Sequence, residues 1–390
     1  MPINYRDLGG SRRLQETVFA GSHDASITQG DACAQTQDLD IAGQANAGVR
    51  LFDLRIAAKR DGENVKMVGY HGSPGGGKTV FETSKWGTIH EMETHKKITG
   101  EFGLGLHRML KQAKKFVRDT NEFLIFKFDK CTNYPAIAEM CVSVLGDNIY
   151  TPIGKEFSKL TLDDLQQKVV CVFKDKEREA MGQGYGDDQG ILGFRSLKGE
   201  KNSMGTYDAS FPGLQYYGKG GTNPFKMYQT NKMKRADNEG IQREMLLAMA
   251  NQVNVDAPNV LGMMYWTSTG SLSSIRERNE ITMWSETGVR RMGELWREGL
   301  HASIANQLLR DQVRYNRGFK IKKEDDVTEY TAVKRLKAYF PNIIMIDFAD
   351  TAKCESIFDL NRVADSKLTK AYSKWRKARR EANRPVELDV

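Results

Sequence analysis

The sequence predicts an α/β fold, a distorted (β/α)8 TIM-type barrel, on three observations. Short β-branched or aromatic runs recur along the chain, several of them apolar nearly throughout, as strands buried on both faces of a parallel sheet must be. Stretches with helical apolar spacing lie between some of these runs, the alternation from which parallel α/β folds are built. The 390 residues suffice for one large barrel. No internal repeat and no Pro- or Ser-rich linker divides the chain. One barrel domain is therefore expected over roughly residues 10–370, followed by a basic helical tail at 366–390.

The candidate strands are 17–22 (TVFAGS), 49–56 (VRLFDLRI), 66–71 (KMVGYH), 123–129 (FLIFKFD), 168–174 (KVVCVFK), 260–267 (VLGMMYWT) and 343–349 (IIMIDFA). The candidate helices are 104–120, with Leu106, Leu110 and Phe116 on one apolar side, then 239–253 and 293–313. The missing strand is expected within the Gly- and Tyr-rich stretch 178–235. That stretch is too long for a simple connection, so it is either a functional loop region or a disordered insertion. The functional reading is preferred, because ordered loops over a scaffold commonly carry binding residues.

Hydrophobic residues make up 39% and charged residues 28% of the chain, an ordinary globular mix. The net charge of +8, from 58 basic and 50 acidic residues, suits an anionic partner such as a phosphate ester or acidic lipid surface, and equally a plain solvated surface. No nucleic-acid partner is expected, and a monomer is the simplest state. The five cysteines are odd in number and form no CxxC pair, which indicates neither a disulfide framework nor a zinc site. The start, MPINYRDLGGSRR, has no apolar h-region, so it is not a secretory signal. The protein is expected either in the cytoplasm or exported by a non-classical route. No apolar run is long enough to span a bilayer, so any membrane contact is expected to be peripheral. The basic tail is most simply a solvated face, with a membrane-surface role as the alternative.

The residues that carry chemistry sit just past candidate strands. His23 and Asp24 follow the first, Asp53 and Arg55 end the second, His71 follows the third and Asp347 ends the last. In a closed parallel barrel the strand C-termini share one rim, and that rim is where such barrels do catalysis. Of the six histidines, His23 and His71 alone hold strand-end positions. The set suits phosphodiester cleavage. One imidazole takes a proton from an attacking hydroxyl and the other gives one to the leaving oxygen. A carboxylate beside each imidazole fixes its tautomer, and a guanidinium holds the phosphate.

The segments GSHDAS, GVRLFDLRI and YHG resemble the X-region signature of phosphatidylinositol-specific phospholipase C, with the bacterial, metal-independent members closest. The likeness continues, patchily, through LHRMLKQAKKFVRDTNEFLIF and MMYWTSTGSLSS to IIMIDFAD. The resemblance implies a PLC-like phosphodiesterase barrel. His23 would be the general base with Asp347 as its orienting partner. His71 would be the general acid supported by Asp24, and Arg55 would contact the phosphate. Calcium-dependent members carry an acidic residue where Arg55 stands here, so the resemblance implies no metal and no cofactor. The implied reaction is attack of the inositol 2-hydroxyl on its own phosphorus, releasing diacylglycerol and a cyclic inositol phosphate at a membrane surface. Asp53, Lys127, Lys130 and Lys174 are candidates for holding the head group. Lys127, Asp129 and Lys130 compete for one basic position of the bacterial members, and Lys174 could fill another.

The runner-up to this reading is a PLC-like phosphodiesterase acting on another phospholipid or head-group conjugate, and two rival readings of other classes remain. GSPGGGKT (72–79) matches the phosphate-cradling P-loop pattern literally and follows a candidate strand. TVFETSKWGTIHE, however, offers no clear helix at the Lys-Thr, where a P-loop requires one. The alternative for that segment is a flexible glycine loop at the rim, with Lys78 reaching an anionic surface. The other rival is a catalytically dead barrel used for binding, against which the histidines, the arginine and both orienting acids all stand.

Overall fold

The structure, a computed structural model, describes residues 3–62, 64–72, 74–83, 92–98, 100–181, 185–220, 230–251, 257–268, 274–316, 339 and 341–382. In chain order the strands are β1 (Phe19–Ser22), β2 (Val49–Leu54), β3 (Ile56–Asp61), β4 (Asn64–His71), β5 (Pro74–Thr83), β6 (Met92–Ile98), β7 (Glu101–Gly105), β8 (Leu124–Phe128), β9 (Val169–Lys174), β10 (Ile191–Ser196), β11 (Leu214–Tyr217), β12 (Leu261–Trp266) and β13 (Pro341–Ile346). The helices are α1 (Ile41–Ala47), α2 (Leu106–Thr120), α3 (Tyr134–Leu145), α4 (Asp175–Ala180), α5 (Asn231–Ala250), α6 (Ile275–Arg278), α7 (Glu286–Asn316), α8 (Thr351–Phe358) and α9 (Leu360–Ala382).

Eight strands, all paired in parallel, close into a barrel in the order β1-β13-β12-β11-β10-β9-β8-β2. Strands β2, β8, β12 and β13 are buried at every position, as their near-continuous apolar runs require. The expected α/β barrel is thus present, with two corrections to its strands. Residues 66–71 belong to β4, which is outside the barrel, and the stretch 178–235 contributes two barrel strands, β10 and β11.

The reason for the first correction is visible in β4 itself. Lys66 is exposed between buried Val65 and Met67, the period of a half-solvated antiparallel strand. β4 pairs with β3 from Ile56↔Gly69 to Asp61↔Asn64, across a tight turn at Gly62 with φ 61°. The two strands belong to a five-stranded antiparallel sheet of order β6-β5-β3-β4-β7 inserted between β2 and α2. This side sheet has its own small core of Ala57, Tyr70, Val80 and Ile98, with Phe102 against it. Helix α2 follows and buries Leu106, Met109, Leu110, Ala113, Phe116 and Val117, including the expected apolar side.

The P-loop reading is also corrected. Pro74–Thr83 is strand β5, antiparallel to β6, so a strand stands where the pattern needs a helix N-terminus. Lys78 instead donates to the Gly100 carbonyl and pairs with Glu101.

The side sheet docks on the loop after β1. The Leu104 N–H donates to Ser26 O at 2.9 Å, and the Tyr70 N–H to Arg55 O at 2.9 Å. The approach is close enough to demand glycine. A Cβ on Gly103 would lie 2.1 Å from the Ser26 carbonyl oxygen, and one on Gly69 2.1 Å from its hydroxyl. At the opposite end of the barrel Arg50, fully buried, pairs with Glu122 at 3.0 Å and donates to the carbonyls of Ile3 and Ala45. Those partners satisfy a charge that would otherwise be costly to bury.

The expected helical tail falls within α9, which runs to Ala382, and residues 383–390 lie outside the described ones. Among the described residues no helix is long and apolar enough to cross a membrane.

Candidate active site

The barrel brings His23, Asp24, Arg55 and Asp347 together at the C-terminal rim, and the side sheet brings His71 to the same place. His23 stands one residue past β1, and its N–H donates to Ile346 O at 3.0 Å, which anchors it to β13. Asp347 stands one residue past β13, fully buried, with Oδ1 3.0 Å from His23 Nδ1. The other oxygen of Asp347 accepts from Asn279 Nδ2 at 3.1 Å. Asn279 is itself held by the carbonyls of Ser268 and Ile275 and by the Ser268 N–H.

Asp24 is the hub. Its Oδ2 lies 3.5 Å from His23 Nε2 and 3.4 Å from His71 Nε2, and its Oδ1 lies 2.8 Å from Arg55 Nε. Its backbone takes a left-handed φ of 42°, which aspartate tolerates better than most residues. The Thr36 hydroxyl donates to Asp24 O at 2.8 Å and helps hold that turn. Phe348, next to Asp347, is also left-handed at φ 49°, pinned by its N–H to Thr36 O at 2.7 Å. A left-handed residue thus stands at one acid and beside the other, a pattern associated with preorganised sites.

The charges are unequal on the two imidazoles. Burial opposes a charge on His23, but Asp24 and Asp347 outweigh it and push the pKa up to about 9. For His71 burial prevails. It lowers the pKa, with Arg55 and His23 adding to it and Asp24 opposing. Burial would raise Asp24, yet Arg55 and the two histidines hold it below the usual carboxylate range. The Nδ1 of His71 is buried without a hydrogen-bond partner among the described residues. The free site therefore favours a protonated His23 and a neutral His71.

The expected head-group residues divide. Asp53 and Lys127 face each other inside the barrel at 2.8 Å, with Asp129 3.2 Å from the same ammonium. Lys127 is 1% exposed and lies 4.6 Å from the centre of the Phe194 ring. Burial alone would lower its pKa, but Asp53 leads a set of groups that raise it well above the ordinary value. Lys130 and Lys174 are exposed, after β8 and at the end of β9. Asn279 escaped the sequence reading because nothing in SSIRERNE marks a partner for an acid far along the chain. Tyr265, whose ring meets that of His23 edge-on at 6.4 Å, lay unnoticed in an apolar strand.

Donor atoms of His23, Asp24 and Asp53 lie within 4.8 Å of one another, a spacing a cation could bridge. Each carboxylate already faces a fixed cation, Arg55 on Asp24 and Lys127 on Asp53. A divalent ion there would meet the repulsion of both cations.

No protein-family model and no curated protein matches the chain. Solved structures are. The phosphatidylinositol-specific phospholipase C from Listeria monocytogenes aligns over 90% of this chain and 94% of its own at 14% identity and a TM-score of 0.44. That from Staphylococcus aureus aligns over 90% and 95% at 16% identity and 0.47. A calcium-dependent phosphoinositol-specific phospholipase C from a Pseudomonas species aligns over 66% and 84% at 13% identity and 0.35.

Proposed function

We propose that the chain is a metal-independent phosphodiesterase of the phospholipase C type, cleaving phosphatidylinositol at a membrane surface to diacylglycerol and a cyclic inositol phosphate. The observation that carries the reading is the arrangement of two imidazole Nε2 atoms and a guanidinium about one buried carboxylate. A phosphodiester seated over Asp24 would meet a proton acceptor, a proton donor and a fixed cation together.

His23 is the base. Asp347 on Nδ1 fixes its tautomer and orients Nε2, and the raised pKa makes it the stronger proton acceptor of the pair. His71 is the acid, because a lowered pKa makes its imidazolium the stronger donor. The free site prefers the opposite proton placement, with the proton on His23. An anionic phosphate between the rings raises both, so with one proton on the pair the working arrangement is the less populated of its two placements. Arg55 offsets charge developing on the non-bridging oxygens.

In the first step the 2-hydroxyl gives its proton to His23 Nε2 as its oxygen bonds to phosphorus. The bond from phosphorus to the glycerol oxygen breaks as His71 protonates that oxygen. The nucleophile belongs to the substrate, so its proximity is built in. Metal independence is supported by the two cations already paired with Asp24 and Asp53. Of the expected head-group residues, Lys130 and Lys174 are the exposed cations.

The test is phosphorus NMR of the protein with phosphatidylinositol vesicles in excess EDTA, where a cyclic inositol phosphate resonance is expected. Turnover confined to another phospholipid would replace the head group and keep the chemistry. Silence toward every phosphodiester would remove the reaction.

A further inference from the structure

Beside this site lie two cations that the proposed reaction does not use. Arg278 closes α6 and is 4% exposed, and its Nε and Nη1 have no hydrogen-bond partner among the described residues. Lys234, in the first turn of α5, is 9% exposed. Among the described residues the charged group that bears on Lys234 is Arg278, which repels it. Burial lowers the pKa of Arg278, and the nearby Cys33 and Glu277 oppose the shift only in part. One turn past Arg278 the Thr282 hydroxyl is also buried without a partner. Arg235, next in the chain to Lys234, is by contrast paired, with Glu239 at 3.3 Å.

Among the described residues Arg278 is a buried cation with two guanidinium nitrogens unsatisfied, and a second cation, Lys234, bears on it; such an arrangement is costly to a folded chain, and native proteins rarely keep one without a use. Their position is informative. Arg278 is followed by Asn279, whose amide donates to Asp347. Lys234 stands one turn before Asn238, whose amide donates to Tyr265 O at 3.0 Å. The pair therefore borders the catalytic centre on its β12–β13 side. Asn279–Met283 form a π-helical turn, an irregularity found disproportionately at functional sites.

We propose that Arg278 and Lys234 form a second anion subsite that takes a phosphate group, carried either on the head group of the substrate or as free phosphate. An arginine presents the planar fork that matches phosphate oxygens, and the lysine adds a point charge.

The test is calorimetric titration of the whole protein with inorganic phosphate. Wild type should take up one more phosphate per chain than Arg278→Gln or Lys234→Met. In phosphate-free buffer both variants should melt no lower than wild type, because each removes an uncompensated charge. If one variant fails to fold, the other carries the comparison. Equal stoichiometry and affinity in wild type and variants would overturn the proposal. Turnover separates the sources. With a head-group phosphate, Arg278→Gln loses at least about tenfold in kcat/KM on phosphatidylinositol 4-phosphate vesicles, the size of one charge-assisted hydrogen bond, and little on phosphatidylinositol. With free phosphate, both lipids respond alike to the variant. The titration does not depend on the reaction. Loss of the extra phosphate in a protein that turns over nothing keeps the subsite and discards the phosphodiesterase.

Discussion

Replacing Asp347 by asparagine isolates what holds the proton on His23. The carboxylate lies 3.0 Å from His23 Nδ1 and accepts from Asn279 on its other oxygen. An asparagine keeps one acceptor and turns a donor toward one of two groups that are themselves donors. His23 rises from 6.5 to about 9. That difference corresponds to about 3 kcal/mol favouring the protonated ring, shared between Asp24 and Asp347. Asp347 contributes both charge and a hydrogen bond, so its loss should lower the His23 pKa by at least about one unit, or about 1.4 kcal/mol. The sign for stability follows from a raised pKa. The contribution of His23 is fully present below pH 6.5 and is lost as pH rises through about 9. Wild type and Asp347→Asn should therefore differ most in melting temperature at low pH and converge toward alkaline pH. The direct assay is NMR titration of the His23 ring. A His23 pKa unchanged by the substitution would refute the assignment of Asp347 as its charge partner.

Other outcomes follow from the same geometry. His23→Ala and His71→Ala should each lose at least about 10²-fold in turnover; a substrate whose leaving oxygen is replaced by sulfur should restore His71→Ala and not His23→Ala, and the reverse pattern would exchange their roles. The rate should rise as pH climbs through the lowered pKa of His71 and fall through about 9, since one proton must remain on the pair; a rate that is flat across this range would show that the two rings do not share the work. Lys127→Met should cost about 3–5 kcal/mol in urea unfolding, because it leaves Asp53 without its cation; a change below about 1 kcal/mol would mean the pair is not effectively buried. Gly103→Ala forces a Cβ toward Ser26 O and should cut turnover at least about tenfold with the far-ultraviolet spectrum unchanged; unaltered kinetics would show that the docking tolerates the shift.

The barrel strands buried on both faces were legible because a run such as IIMIDF permits little else. His23, Asp24, Arg55 and Asp347 could be grouped because strand ends of one barrel share a rim. His71 joins them by another route. The run KMVGYH has the composition of a barrel strand, whereas the Asp61–Gly62 pair before it marks a hairpin. β10 and β11 stayed hidden because they are short and set among glycines and tyrosines, where composition signals loop. The pairing of Lys127 with Asp53, the hold of Asn279 on Asp347 and the isolation of Arg278 are facts of three dimensions. No local pattern encodes them.

The proposed acid and base belong to different cooperative units. His23 is woven into the barrel, while His71 ends a strand of a small sheet whose own core is four buried side chains. Such a sheet can open at a lower free energy than the barrel, carrying the acid away and leaving the base in place. In that open state esters with good leaving groups remain substrates and lipid alcohols do not. Amides of β3, β4 and β7 should then exchange with solvent well before those of β12 and β13, and leaving-group selectivity becomes a reading of how tightly an appended sheet is shut.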